Sequence, residues 1–451
     1  MDFAKLKQKG DNMLLEFQIQ NYKSFLSTTT LSMLSAPKQT DLAYSILKGK
    51  GLQAIKALCS SIIYGPNASG KTNLIGAMEV FQSIVSRGHI RNVYKQDTPN
   101  FANFNLELIP NSSLKDAQPV CFTITFFEKE LEIKYSLKIN LGKFLEKNFS
   151  RLIQEERLII NQKDIFSRSG ESLQINNPHI DSNIIHWPLA ENPVDLTKTL
   201  MHNLNPQELF LTGGFKSIVS RETAELVIDW ITKKFQIIYQ ANSLSISPIL
   251  PNEDVERFYV DKLISDIAQE FGIGANAIGY IYNKEKQKSQ MFSVLKERHI
   301  IIPAKVYESL GTIRVINIFP LLVMALINGK TLFIDEFDAS IHPMAIMSII
   351  NIFHNNEINK NKAQLIFNSH NPIFLNGNLF RRDEIKFVDR DESSHISELY
   401  SLADFGTSGK NGVRKSDDYM KNYFINRYGA IHNLDFSPIF EKIMSHAENN
   451  Q

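Results

Sequence analysis

Two cysteines in 451 residues, Cys59 and Cys121, are too few and too far apart for a disulfide framework or a thiolate metal site. Both are expected in the core of a protein from a reducing compartment. Charge of one sign is not in excess either, with 49 Lys and Arg against 48 Asp and Glu and a net charge of +1. A general attraction to nucleic acid or anionic lipid is thereby excluded, and any such contact needs a local patch. The N-terminal residues, MDFAKLKQKGDN, lack the apolar run of a signal peptide. The strongest apolar stretch, Val315 to Ile327, falls below the ~18 residues that cross a bilayer and is broken by Asn317 and Pro320. No membrane association and a cytoplasmic location are therefore expected. Repeats and low-complexity tracts are also missing. What is present, 43% hydrophobic and 22% charged residues, is the composition of an ordinary globular chain.

After a polar leader, Leu14 to Ile19 reads as a strand that ends in Asn21-Tyr22-Lys23-Ser24-Phe25. Residues 36 to 57 contain Pro37, Gly49 and Gly51 and read as a connection. A second strand, Cys59 to Tyr64, runs into a glycine-containing loop and a helical pattern from Lys71 to about Ser86. From Cys121 to Ile139 apolar and polar residues alternate, the pattern of a half-buried antiparallel sheet. Residues 193 to 275 read as helical. Short buried strands return after Tyr307, at Thr331 to Ile334, Gln364 to Phe367 and Ile385 to Val388, with helical patterns between them. The chain thus opens and closes with α/β material around a middle third of another kind, as an inserted arm would produce.

The loop Gly65-Pro66-Asn67-Ala68-Ser69-Gly70-Lys71-Thr72 satisfies the phosphate-loop pattern and lies between a buried strand and a helix. Glycines let backbone N–H groups wrap phosphate oxygens and the helix N-terminus adds its dipole. Lys71 is placed to reach the β and γ phosphates of a nucleotide, and Thr72 can ligate Mg²⁺. The run Thr331 to Ile334 then delivers Asp335 and Glu336 at a strand end. Alone, such a pair is commonly a surface turn. Downstream of a phosphate loop, Asp335 is placed for the Mg²⁺ shell and Glu336 for the attacking water. Glu308-Ser309-Leu310-Gly311-Thr312 precedes an apolar helix, so Ser309 and the backbone near Gly311 offer donors at a positive helix end; a plain helix cap explains them equally. Gln364 to Ser369 ends on His370, a residue able to reach a γ-phosphate, although a lone histidine usually has no such role.

In this order the motifs resemble the ABC-type ATPases of the SMC, RecF and OLD group. The resemblance implies a phosphate loop at 65 to 72, a signature at 308 to 312, Walker B at 331 to 336, a D-loop at 337 to 340 and a switch histidine at 370. It also implies that the signature faces the phosphate loop of a second subunit, so that ATP and Mg²⁺ are held in a homodimer or a higher even-numbered oligomer. Asp-Glu-Phe-Asp-Ala-Ser-Ile-His-Pro at 335 to 343, Arg381 to Ile385 and Asn426 to Ile431 are similar to the small AbiL-like ATPases of bacterial abortive-infection systems. That likeness implies a regulatory ATPase in antiviral defence that controls a separately encoded effector, often a nuclease. The family's Q-loop glutamine has no convincing match, neither at Gln96 nor near Phe104.

The expected architecture is α/β, a P-loop NTPase of ABC ATPase-head type with an inserted β-rich and helical arm. Its expected divisions are a leader at 1–12, an N-terminal lobe at 13–120, the arm at 121–300 and a C-terminal lobe at 301–451. Two rivals remain: a DNA-repair ATPase of RecF type, and an autonomous nuclease under ATPase control. For the second, Asp389-Arg390-Asp391 mimics a TOPRIM metal pair, but too little chain follows it and a solvated turn fits better. Lys284, Lys286, Lys288, Lys296 and Arg298 form a basic stretch that can touch nucleic acid, yet Glu285 and Glu297 among them favour a solvated loop.

Overall fold

The chain begins with β1 (Asn12–Gln20) and β2 (Thr29–Ser32), makes a ribbon of β3 (Ile46–Lys48) and β4 (Lys56–Leu58), and enters β5 (Ser60–Tyr64) and helix α1 (Lys71–Arg87). The computed structural model describes residues 11–37, 39–49, 55–91, 107–144, 149–176, 193–239, 259–260, 266, 270, 276–283, 288–295, 300–409, 412–432 and 435–448. Strands β6 (Val120–Glu128), β7 (Leu131–Asn140), β8 (Leu152–Ile160), β9 (Lys163–Ser169) and β10 (Ser172–Ile175) come next. Helices α2 (Pro193–Asn203) and α3 (Arg221–Asp229) lead into β11 (Phe235–Ile238). A small sheet follows, β12 (Tyr259–Val260), β13 (Asn276–Asn283), β14 (Lys288–Leu295) and β15 (Ile300–Pro303). The last strands are β16 (Thr331–Ile334), β17 (Gln364–Asn368), β18 (Ile385–Arg390) and β19 (Ser397–Ser401).

Two sheets organise the molecule. One has the order β11-β16-β17-β5-β18-β19 and is parallel except for β19. Its central strands are buried on both faces, which is why apolar residues stand consecutively in them, as in Ile62-Ile63, Leu332 to Ile334 and Leu365 to Phe367. The face carrying Ile63, Phe333, Ile366 and Val388 packs with α1. The opposite face, with Ile62, Leu332, Leu365 and Phe387, packs on helices Leu310–Asn328 and Pro343–His354. The other sheet, β10-β9-β8-β7-β6-β1-β2, is antiparallel and closes over the outer side of α1 through Phe17, Phe122 and Tyr135. This is an α/β P-loop fold, as expected, with α1 held between two sheets.

Several expectations change in detail. β6 pairs with β1 from Asn12↔Glu128 to Gln20↔Cys121, so a division at 120/121 falls inside one continuous sheet. The alternation in β6 and β7 shows that one face is buried and cannot show which strand lies alongside. Residues 193 to 275 are not helical throughout. Phe235–Ile238 is a strand parallel to β16, because a four-residue apolar run obeys either period until a sheet edge recruits it. Residues 211–219 and 230–234 are wider π-type turns flanking α3. The buried Glu156 carboxylate accepts from the Phe210 and Leu211 N–H groups at 2.6 and 2.8 Å, which fastens this helical layer to β8. Cys59 is buried, whereas Cys121 is only partly so.

The Leu310–Asn328 helix runs through Pro320 for 19 residues, longer than the apolar stretch alone suggests, and is long and apolar enough to cross a membrane by length and composition. Val315, Ile318, Leu322 and Ala325 nonetheless lie in the core beneath β16. Ser309 caps its start by accepting from Thr312 N–H at 3.1 Å, and Gly329, at φ +60°, ends it where a Cβ would strike the Asn361 carbonyl.

Candidate functional site

The phosphate loop is a turn that only small residues allow. A Cβ on Gly65 would lie 2.2 Å from the Val388 carbonyl oxygen. One on Gly70, at φ +114°, would crowd the Ser397 and Ser24 hydroxyls. The loop is braced from outside, since Ser397 Oγ donates to the Ser69 carbonyl at 2.6 Å and Arg390 Nη1 reaches the Ala68 carbonyl at 3.4 Å. From inside, Lys71 Nζ donates to the Gly65 and Pro66 carbonyls at 2.7 and 2.9 Å. Burial pulls the Lys71 ammonium down to about 8, against the opposing pull of Asp335 and Glu336.

Asn67, Ala68, Ser69, Gly70, Lys71 and Thr72 share one cavity of about 300 Å³ with Asn73, Glu336, Asn368, His370 and Arg390. Residues more than 260 positions apart in sequence meet here because β5, β16 and β17 are parallel neighbours, whose C-terminal ends all open on the same side. Asp335 lies just beneath, its Oδ1 accepting from Asn368 Nδ2 at 2.6 Å. The same Asn368 side chain accepts from the Glu336 N–H through Oδ1. Glu336 has φ +48°, a left-handed conformation that the Asn368 bond and an Arg314 guanidinium bond to the Glu336 carbonyl together hold. Packing around His370 and the Lys71 charge keep its imidazole below the ordinary histidine value, although Asp338, Glu336 and Asp335 act the other way. Asp338 accepts from Ser369 Oγ at 2.7 Å, and burial lifts its carboxyl above the usual range.

Ser309 and Gly311 do not line this cavity. Gly311 lies against the segment that follows Glu336, where a Cβ on it would be 2.1 Å from the Ser340 carbonyl oxygen. Gly311 and Ser340 are therefore close neighbours. Val306, Tyr307 and Leu310 are 78%, 48% and 75% exposed there.

Matching against protein-family models identifies residues 60–376 with the family described as "AAA domain, putative AbiEii toxin, Type IV TA system". The chain belongs to this family. The match covers more than half of its length and includes β5, β16 and β17, while β18, which carries Arg390, follows it. No curated protein matches the chain. Among solved structures, the SMC head domain from Thermotoga maritima is similar at 12% identity and a TM-score of 0.34, covering 86% of this chain and 98% of that one. The recombination mediator protein RecF with ATP, of the RecFOR pathway, is similar at 11% identity and a TM-score of 0.33, covering 87% and 98%. Likeness at this level carries no weight for function.

Sequence reasoning missed Asn368, Asn73, Arg390 and Arg314 as parts of this AAA-domain site. Asn368 stands two positions before His370, and its spacing from the strand end was the one available signal. The Asp389-Arg390-Asp391 mimic resolves as the end of β18. Asp391 accepts from the N–H and hydroxyl groups of Ser393 and Ser394, which hold its carboxyl far below the usual range, while Asp389 accepts from Ala430 N–H at 3.2 Å. Gln96, Phe104 and most of the basic stretch, Lys284, Lys286, Lys296 and Arg298, lie outside the described residues. Lys288 is in β14.

Proposed function

We propose that the chain is an ATP-hydrolysing switch that closes as a homodimer around ATP. In the cytoplasm of a bacterium it governs a separately encoded effector, a nuclease, in defence against phage. The observation that supports this most directly is the division of the site. The phosphate loop, Glu336 and His370 share one cavity, while Ser309 and Gly311 stand outside it on an uncovered apolar face. A second copy would bring its own Ser309 and Gly311 to that cavity, and vice versa, the self-complementary arrangement of a two-fold dimer.

In this reading the loop N–H groups and Lys71 hold the β and γ phosphates, and Ser309 of one copy donates to the γ-phosphate held by the other. Thr72 and Asp335 offer the oxygen donors that Mg²⁺ prefers, and Asn368 orients Asp335 for that task. The metal, when bound, neutralises charge on the phosphates. Glu336 polarises the attacking water, with its backbone held by Asn368 and Arg314. The family description names a toxin and a toxin–antitoxin system, a two-component setting that suits control of a partner protein.

The test pairs two damaged chains. Ser309→Arg retains its phosphate loop and Lys71→Ala retains its signature, so a preformed heterodimer holds one intact composite site. It should recover up to about half of wild-type turnover, while each mutant alone is nearly inactive. No recovery would refute sharing of the site. Turnover that instead requires DNA would favour the recombination-type reading.

A further inference from the structure

One cation in the cavity has no task in the scheme above. Arg390 lines the same cavity as Lys71, Glu336 and His370, yet it arrives from β18. In the sheet order β16-β17-β5-β18, that strand lies on the opposite side of β5 from β16 and β17. Asp335 and Glu336 follow β16, and His370 follows β17. Arg390 and the hydrolytic group therefore flank the phosphate loop on opposite sides.

Its guanidinium is positioned but not neutralised. Nε donates to the His395 carbonyl at 2.9 Å and Nη1 to the Ala68 carbonyl at 3.4 Å, two uncharged acceptors that aim the group at the loop. Among the described residues no carboxylate pairs with it. The neighbours that would quench it are engaged elsewhere, Asp391 by the Ser393-Ser394 turn and Asp389 by Ala430. A half-buried guanidinium directed into a cavity and left without a counter-ion is suited to a phosphate, which it binds through its planar fork.

We propose that Arg390 is a nucleotide-binding residue that holds the adenosine-side phosphate of ATP and of ADP. This rests on reading the cavity as a nucleotide site. With the γ-phosphate near Glu336 and His370, the opposite flank meets the α-phosphate, which both nucleotides possess. Arg390 then retains ADP as firmly as it captures ATP, and it acts on affinity. The Asp-Arg-Asp triplet that imitates a nuclease metal pair is, in this assignment, an arginine presented between two carboxylates that are bonded away.

Calorimetric titration of the full chain with Mg-ATP and Mg-ADP tests it, using wild type, Arg390→Met and Arg390→Lys. Thermal melts confirm folding. Arg390→Met should weaken both nucleotides by about tenfold and to the same extent, the loss expected for one charged hydrogen-bonding group. Arg390→Lys should recover most of that loss, and the KM for ATP should follow the Kd. A loss confined to ATP would overturn the assignment by placing Arg390 at the γ-phosphate, and equal affinities in all three proteins would overturn it outright. A folded wild-type chain that binds neither nucleotide would defeat the nucleotide-site reading itself. Unchanged Arg390→Met binding beside a tight wild type defeats only the role of Arg390. Should Arg390→Met fail to fold, Arg390→Gln serves the same comparison.

Discussion

At the scale of single residues, the proposed scheme separates holding phosphate from activating water. Lys71 is the ammonium at the centre of the loop, and its removal takes away the charge nearest the β and γ oxygens. Lys71→Ala should weaken ATP binding more than tenfold, checked by titration calorimetry. Glu336→Gln keeps the backbone bonds from Asn368 and Arg314 but cannot accept a proton. It should bind ATP normally and hydrolyse it about a hundredfold more slowly or worse, with ATP-bound dimers accumulating on a sizing column. The residues of the phosphate loop and the Asp335-Glu336 pair were legible in the sequence because each carries a fixed chemistry at a fixed spacing. Asn368 was not, since an asparagine has no recognisable pattern until a parallel neighbour puts Asp335 Oδ1 within 2.6 Å of it.

At the scale of elements, β18 and its lead-in form a polar support beneath the apolar sheet. Arg381 pairs with Asp383 at 2.9 Å, and Glu384 accepts from Ser60 Oγ at 2.9 Å, next to His354. Cys59, His354 and Glu384 bring three potential ligand atoms within 4.8 Å of one another, but Ser60 and the Ser45 carbonyl already engage these groups. The cluster thus ties β5, β18 and the Pro343–His354 helix together. Lys386 is enclosed in the same support, donating to the Asp383 carbonyl at 2.8 Å, and burial lowers its ammonium from 10.5 to about 8. Between those values the unfolded chain holds a proton that the folded chain has released, so folding expels a proton there. Stability should therefore rise as pH increases from about 8 toward 10.5, by up to on the order of 3 kcal/mol. Denaturant unfolding at stepped pH would show it. Lys386→Met should reduce that slope and leave the part that Lys71, also lowered to about 8, contributes in the same window, and an unchanged slope would assign it to other groups.

At the scale of the whole molecule, the described residues carry the AAA-domain cavity, and Asp389 and Asp391 at the end of β18 are engaged by Ala430 and by the Ser393-Ser394 turn. The purified chain should accordingly turn over ATP without cutting DNA or RNA, and phage protection or toxicity should depend on a second protein. Nuclease activity that copurifies with the chain and is lost in Asp391→Ala would reverse this. Gel assays with Mg²⁺ and both nucleic acids decide it.

The sequence by itself determined the local chemistry: a phosphate loop, a carboxylate pair at a strand end, a histidine beyond the next strand, and alternation marking a half-covered sheet. These depend on neighbours within about ten positions, where spacing and side-chain type suffice. Strand partnership was decided only in three dimensions. Nothing in β6 specifies that β1 lies beside it, and nothing in Phe235–Ile238 distinguishes a helix turn from the edge strand next to β16. The same holds for Arg390. It becomes part of the cavity only because β18 lies against β5, and pairing between distant strands is settled by which apolar faces can be buried together, not by any local preference.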